Sequence, residues 1–277
     1  MARILAKEQW SEHVFMFKVF APAIAERRKA GNFIILRLDK QGERVPLTIA
    51  DADTAQGSIT LVVQAVGKST IQLSQMNVGD EILDIMGPLG KPTEVHKVGT
   101  VVCVGGGIGI APLHPIAQAM HAAGNKVISI LGARDKSLII MEDYMRKASD
   151  EIIICTDNGS YGTKGLVTDM ITMLINRGEK ISEVVAIGPA IMMKFVAKLT
   201  KQHEIKTVVS LNPIMIDGTG MCGGCRVVIN GKTQFVCVDG PEFDGHQVDF
   251  DGMMRRQGMF KEYEKRSLEA HRCKIAG

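Results

Sequence analysis

Asp217, Cys222, Cys225 and Cys237 carry the most distinctive chemistry of this 277-residue chain, and they include half of its six cysteines. Thiolates are soft ligands suited to zinc or iron-sulfur centres. Cys222 and Cys225 bracket a Gly-Gly pair, so one tight loop presents both sulfurs. Asn230-Gly231 between two short apolar runs signals a two-residue hairpin turn of type I′. With that pair at the turn, Ile229 faces Lys232, Cys225 faces Val236 and Gly224 faces Cys237. Opposed residues of an antiparallel pair lie about 4.5 to 5.5 Å apart at Cα, so this register returns Cys237 to the Cys222/Cys225 loop. Asp217 stands where a plant-type C-x4-C-x2-C run carries its first cysteine. The spacing predicts three thiolates and one carboxylate around a 2Fe-2S cluster, with a tetrahedral structural zinc as the alternative.

A second constellation is built of glycine. Gly105-Gly106-Gly107-Ile108-Gly109-Ile110-Ala111-Pro112 follows an apolar run and opens a helical pattern that Gly124-Asn125 ends. Glycines permit the tight strand-to-helix turn and let backbone amides approach a pyrophosphate. The spacing differs from G-x-G-x-x-G, so an ordinary Rossmann NAD site is not expected. Three more loops follow predicted strands, where ligands of open α/β sheets collect: Gly132 to Lys136, Asp157-Asn158-Gly159, and Gly188-Pro189. Arg134 and Lys136 suit a 2′-phosphate and Asp135 suits a ribose hydroxyl, which leaves NAD and NADP both open.

The elements that must position these groups fall into four stretches. Residues 1–97 alternate β-rich runs with turns (His13 to Phe20, Asn32 to Leu38, Val45 to Ala50, Ser58 to Val66, Asp80 to Met86), the pattern of a small antiparallel barrel. Within it, Gly67-Lys68-Ser69-Thr70 opens a short helix whose free amides suit a phosphate, and Arg44-Val45-Pro46-Leu47-Thr48 begins the third run. Residues 98–210 read as a doubly wound parallel-sheet α/β domain, with strands at Thr100 to Val104, Val127 to Leu131, Ile152 to Thr156, Val184 to Ile187 and Thr207 to Ser210. The helical stripes Met192/Phe195/Val196/Leu199 and Leu166/Met170/Met173/Leu174 read as core. Residues 211–250 form the small iron-sulfur hairpin module. Residues 251–277 form an amphipathic tail that either packs on its own domain or docks a partner through its Met and aromatic face.

Composition excludes several classes. A net charge of +3 with 23% charged residues, and no basic patch interleaved with aromatics, argues against nucleic acid. No stretch approaches eighteen apolar residues, which argues against a membrane, and MARILAKEQW lacks the apolar core of a leader, so the expected location is cytoplasmic. Thiols stay reduced there, which favours metal binding over disulfides. Cys103 and Cys155, in apolar runs, read as small buried hydrophobes, and Cys273 stands alone.

A barrel, then G-G-G-x-G-x-A-P, then Gly188-Pro189-x-x-Met192-Met193, then the cysteine run resembles the ferredoxin-NADP reductase superfamily over residues 1 to about 250. More narrowly it resembles the electron-transfer subunits of dihydroorotate dehydrogenase and of NADH-dependent reduced ferredoxin:NADP oxidoreductase, also described as sulfide dehydrogenase. The resemblance implies FAD on Arg44, Pro46, Leu47, Thr48 and Gly67 to Thr70, and NAD(H) on Gly105 to Pro112. It also implies a 2Fe-2S cluster and a larger flavin and iron-sulfur partner subunit, through which ferredoxin is reached. Three departures stand out. The superfamily's R-x-Y-S/T would place its arginine at Val45 and its tyrosine at Leu47; its Cys-Gly-Pro is Ile187-Gly188-Pro189 here; and Asp217 replaces the first cluster cysteine of the dihydroorotate-type subunit, which favours the ferredoxin:NADP oxidoreductase type. No side chain is required as a general base. The competing expectations are a dihydroorotate-type electron-transfer subunit and a non-catalytic, redox-responsive nucleotide-binding module.

Overall fold

The computed structural model describes residues 2–276, with side chains through His271. The first sheet collects β1 (Ala2–Gln9), β2 (Val14–Phe20), β3 (Phe33–Arg37), β4 (Val45–Asp53), β5 (Ser58–Gln64), β6 (Glu81–Ile82) and β7 (Asp84–Leu89), with short helices α1 (Pro22–Arg27) and α2 (Lys68–Gln75). Its order is β6-β1-β2-β5-β4-β3-β7, antiparallel throughout. Phe17, Val19, Ile34, Leu36, Ile59 and Leu61 alternate inward and fill its core, as strands with one buried face require. The β4–β5 ladder slips between Ile49 and Asp51, leaving Ala50 as a bulge.

The second sheet follows from near-continuous apolar runs, the mark of strands buried on both faces. Its strands are β8 (Thr100–Gly106), β9 (Lys126–Ala133), β10 (Glu151–Thr156), β11 (Thr163–Lys164), β12 (Ile181–Ile187) and β13 (Lys206–Ser210). Helices α3 (Ile110–Ala122) and α4 (Glu142–Lys147) cover one face, and α5 (Val167–Asn176) and α6 (Ala190–Gln202) cover the other. A hairpin, β14 (Arg226–Ile229) and β15 (Lys232–Phe235), precedes a helical turn α7 (Val236–Asp239) and the strand β16 (Glu242–Asp244). The order is β11-β10-β9-β8-β12-β13-β16, and β16 runs antiparallel to β13. The nucleotide-type sheet is therefore mixed rather than wholly parallel. Its last strand comes from beyond the cysteine hairpin.

The tail is helical. In α8 (Phe250–Gln257) the side chains of Phe250 and Met253 are buried in the core beside α6. The next helix, α9 (Lys261–Ala276), returns to pack against α2 of the first sheet. Met259, Phe260 and Tyr263, at the junction, remain exposed.

Three expectations need correction. Cys237 does not oppose Gly224 on an extended ladder: pairing runs Arg226↔Phe235 through Ile229↔Lys232, the Val236 amide still donates to the Cys225 carbonyl, and the chain then turns helical. The Asp239 carboxylate accepts the Phe235 amide at 2.7 Å and starts that turn. The helical stripes are only half core, because Val196, Met170 and Leu174 are buried while Phe195, Leu166 and Met173 are exposed; α6 shows part of its apolar face to a cleft rather than to the sheet. The first expected strand is preceded by a full strand, β1, which the sequence pattern did not signal. Cys103 and Cys155 are buried as expected, and burial pushes both thiols up to about 12. The Cys273 side chain lies outside the described residues.

Candidate functional site

One cavity of about 1060 Å³ opens between the two sheets, at the upper end of the range for small-molecule and cofactor sites. The first sheet lines it with Val14, Pro46, Leu47, Thr48, Val62 and Gln64. The second contributes Gly106 to Gly109, Ala111 and Pro112 from the glycine turn, Arg134, Asp157, Gly188 and Pro189 from loops after strands, and Met192 and Phe195 from α6. Ser210 to Pro213, Met215 and Pro241, leading into and out of the cysteine module, close its remaining side.

The glycine turn is shaped by contact and by backbone hand. β8 runs through Gly106 into a single 3-10 turn, Gly107–Gly109, and then α3. A Cβ on Gly106 would stand 2.5 Å from Met192 Sδ and 3.1 Å from Pro189 Cδ, and one on Gly109 would meet the Ile187 carbonyl and, at 2.8 Å, Gly188 Cα. Gly188 in turn approaches Gly106 Cα. The two loops press together backbone to backbone. Gly107 differs: its φ is +54 and nothing lies within 4 Å of its Cβ position, so only conformation demands glycine there. Such a cradle of bare amides, open toward a cleft, fits a dinucleotide pyrophosphate.

Other expected residues fall beside this cleft rather than on its wall. Gly105 lies beneath the turn, where a Cβ would meet Ile110 at 2.9 Å. Asp135 is exposed, with its carboxylate accepting the Ser137 amide at 2.9 Å and the Ser137 hydroxyl, bonds that hold its pKa below the usual range. Lys136 Nζ sits 5.1 Å from the centre of the Tyr161 ring. Asn158 and Gly159 form the turn after β10, in which Asn158 Oδ1 accepts the Ser160 amide and Gly159 has a φ of +74. Arg44 is exposed one residue before β4. Gly67 and Lys68 begin α2, Thr70 Oγ1 accepts the Gly67 and Val66 amides at 3.0 and 3.1 Å, and Ser69 Oγ donates to Glu43 at 2.6 Å.

The cysteine loop lies apart from the cavity lining. Cys225 Sγ and Cys237 Sγ are 3.2 Å apart and buried, and the Cys237 amide points at Cys225 Sγ from 3.4 Å. Burial, followed by the neighbouring Cys225, raises the Cys237 thiol pKa. Cys222 is exposed on a loop in which Gly218, Gly220 and Gly223 all have positive φ, and the Gly224 amide donates to its sulfur at 3.4 Å. Asp217 closes the loop from behind: its carboxylate accepts the Thr219 amide at 2.9 Å and the Cys222 amide at 2.7 Å, and these bonds lower its pKa. Among the described residues no three donor side chains stand close enough to hold a metal ion as they are. The donor chemistry nevertheless fits an iron-sulfur centre: soft sulfurs on one small module, with amides already aimed at two of them.

Sequence reasoning missed the residues that join the two sheets. His114 of α3 is buried and its Nδ1 donates to the Ala50 carbonyl at 3.1 Å. Its pKa is lowered, chiefly by burial. Thr93 Oγ1 donates to Glu242 Oε1 at 2.5 Å, and burial, reinforced by Glu183 and Glu94, lifts the Glu242 carboxyl to about 7. An isolated His inside a helical apolar pattern was the available signal for the first, and for the second there was none.

Comparison with known proteins places this geometry. Residues 1–93 match the oxidoreductase FAD-binding domain, and residues 212–249 match the iron-sulfur cluster binding domain of dihydroorotate dehydrogenase B. The chain is 46% identical over 266 residues to a dihydroorotate dehydrogenase B (NAD(+)) electron transfer subunit homolog of Thermotoga maritima, covering 96% of this chain and 94% of the relative. It is 48% identical to an uncharacterized protein in the adh 3′ region of Clostridium beijerinckii, covering 97% and 94%. Among solved structures, a chain from the NADH-dependent reduced ferredoxin-NADP oxidoreductase, described in work on flavin-based electron bifurcation, superposes with a TM-score of 0.93 at 44% identity, over 98% of this chain and 97% of that one. The curled antiparallel sheet, the mixed α/β sheet and the cysteine hairpin are the fold of that chain. A second relative, 32% identical over 255 residues, is likewise named as an electron transfer subunit of dihydroorotate dehydrogenase B (NAD(+)), from Desulforamulus reducens. This protein is a flavin- and iron-sulfur-dependent oxidoreductase subunit, and the chain belongs to the family of dihydroorotate dehydrogenase B electron-transfer subunits and their homologues.

Proposed function

We propose that this chain passes electrons between NAD(H), an FAD on the first sheet and a 2Fe-2S cluster on the cysteine module, to or from a larger flavin and iron-sulfur subunit that reaches ferredoxin. The observation that carries the reading is the single cleft shared by Pro46-Leu47-Thr48, the Gly106–Pro112 turn and the Ser210–Met215 segment leading to the cysteines. It supports the reading because the segments assigned to flavin, nucleotide and cluster all border one space. Bound FAD accepts two electrons as hydride and releases them singly, which a nicotinamide and a one-electron centre require of an intermediary. The chain's own contribution is position. Backbone amides of the glycine turn would hold the nicotinamide dinucleotide, with Asp157 and Gly188-Pro189 bounding it and Arg134 reaching its adenosine end.

Asp217, Cys222, Cys225 and Cys237 are the residues we assign to the cluster. Closure of the exposed Cys222 loop onto the buried Cys225/Cys237 pair would complete the set, and metal binding would displace the thiol protons. The exposed Met259, Phe260 and Tyr263 supply an apolar face for the partner. We place the complex in the cytoplasm, where the five free cysteines among the described residues would stay reduced; no helix among those residues is long and apolar enough to cross a membrane.

Two measurements test this. Aerobically purified protein should show flavin and iron-sulfur absorbance, and a colourless sample with stoichiometric zinc would refute the relay. Addition of NADH should bleach the flavin and reduce a one-electron dye catalytically, whereas a sensor module would bind nucleotide without turnover. A dihydroorotate-type role rests on the relatives' names and would be favoured by co-purification with a flavin-bearing barrel dehydrogenase.

A further inference from the structure

We infer that Arg226 and Arg256 are positioning residues for the iron-sulfur centre, two fixed positive charges behind the Cys222–Cys225 loop that favour its reduced form. The inference rests on the assignment of Cys222, Cys225 and Cys237 to that centre. Two guanidiniums from different elements reach adjacent carbonyls of one loop. Arg226, the first residue of β14, donates from Nη1 to the Gly223 carbonyl at 3.4 Å. Arg256, from α8, donates from Nη2 to the Gly224 carbonyl at 3.2 Å.

The Gly223 carbonyl belongs to the same peptide group as the Gly224 amide, and that amide donates to Cys222 Sγ at 3.4 Å. Guanidinium, peptide and sulfur therefore form a chain in which each bond polarises the next. Arg256 acts on the following peptide, the one that leads into Cys225. Its side chain is half-buried, while Arg226 is exposed, so solvent and salt screen Arg256 less. Among the described residues neither guanidinium, nor that of the adjacent Arg255, forms an ion pair with a carboxylate. Asp249 lines the same surface pocket as the three arginines without forming an ion pair with any of them. The placement of Arg256 is a packing consequence: Met253, three residues earlier on α8, is buried in the core, so the helix face that carries Arg256 lies against the hairpin module.

Reduction adds one electron and converts one ferric iron to ferrous, so the cluster and its thiolates become more negative by one charge. Hydrogen bonds to the sulfurs and nearby charge are the protein's levers on that equilibrium. Positive charge on the loop carbonyls stabilises the product of electron uptake more than the reactant. Removing it should lower the midpoint potential without removing the flavin.

The test is an anaerobic redox titration of the full chain purified with its native partner, with the reduced 2Fe-2S signal followed by electron paramagnetic resonance and iron counted per chain. At the potential where half of the wild-type cluster is reduced, Arg256→Gln should lower the reduced-to-oxidised ratio by roughly three- to tenfold, tenfold being about 59 mV for one electron. Arg226→Gln should lower it less, and Arg256→Lys should recover much of the change. A clamp that acted only structurally would reduce iron content and leave the midpoint of the remaining cluster unmoved. If Arg256→Gln retains no cluster, the titration of Arg226→Gln decides: a midpoint equal to wild type overturns the inference. Wild-type chain without iron would overturn the cluster assignment itself, a failure distinct from an intact cluster whose potential ignores both arginines.

Discussion

His114 Nδ1 donates to the Ala50 carbonyl, joining the nucleotide-side helix α3 to β4 at a residue that the β4–β5 ladder skips. The bulge frees a carbonyl, and the histidine takes it. His114→Leu leaves that buried acceptor without its partner and should cost about 1–3 kcal/mol, measured by urea unfolding. Because burial holds the folded pKa of His114 below its ordinary 6.5, the unfolded chain binds the extra proton first. The histidine's contribution is complete above 6.5 and is lost as pH falls through the lower folded value. The leucine variant should lack that part of the acid sensitivity.

Glu242 has the opposite sign. Its folded pKa is raised from 4.5 to about 7, so the protonated form is favoured on folding, and the stability it contributes is full below 4.5 and declines as pH rises through 7. Glu242→Gln should flatten stability across that window, as read by thermal unfolding at a series of pH values. An unchanged profile would show that the carboxyl is ionised in the folded protein throughout.

Gly107 and Gly109 separate two demands on one turn. Gly107→Ala meets open space and pays only for left-handed backbone, about 1–2 kcal/mol. Gly109→Ala drives a methyl group into the Ile187-Gly188 backbone and should damage the turn more severely. The Kd for NADH should therefore rise modestly in the first variant and far more in the second, with FAD content unchanged in the first. Equal losses would place the dinucleotide away from this turn.

Asp217 is bonded to the loop whether or not it reaches iron. Asp217→Ala removes the acceptor of the Thr219 and Cys222 amides and should weaken iron retention by roughly 10- to 100-fold while flavin stays bound. Asp217→Asn keeps an acceptor oxygen and loses the charge, so an intermediate iron content is expected. Full iron in both variants would remove Asp217 from the ligand set.

Cys237 Sγ and Cys225 Sγ lie in hydrogen-bond contact at 3.2 Å, so substitution of Cys237 reports on assembly of the pair. Cys237→Ser should abolish the iron-sulfur absorbance and leave the flavin spectrum in place. Retention of a full 2Fe-2S signal would mean that another donor completes the site.

The sequence made much of this architecture legible, and the exceptions share a cause. Buried apolar runs such as Val101 to Val104 and Val184 to Ile187 announced the parallel strands because both faces are covered. The Asn230-Gly231 turn, where both residues adopt positive φ, set the ladder through Arg226↔Phe235 and the Val236 amide bond to Cys225. Counting failed one residue later, where the Asp239 side chain, invisible to a register argument, makes the chain turn helical. β16 has three residues, too few to show a period, and β1 mixes burial classes along its length. His114 and Glu242 act through partners 64 and 149 residues away, and such pairings leave no local trace. The glycine turn was legible because the reasons for glycine are local; Asp135 was legible as a loop residue, although its own Ser137 occupies the carboxylate.

The antiparallel pairing of β16 with β13 has a consequence for how this protein can be cut. Val208, Val209 and Ser210 have their outward backbone groups engaged by Asp244, Phe243 and Glu242. A fragment ending at Ser210 would lose more than its cysteines: it would bare an unpaired row of amides and carbonyls on an apolar strand, a template on which another chain can add. The segment that carries the cysteines thus also covers a sheet edge, and a chain truncated between Leu211 and Cys222 should aggregate rather than behave as a smaller reductase.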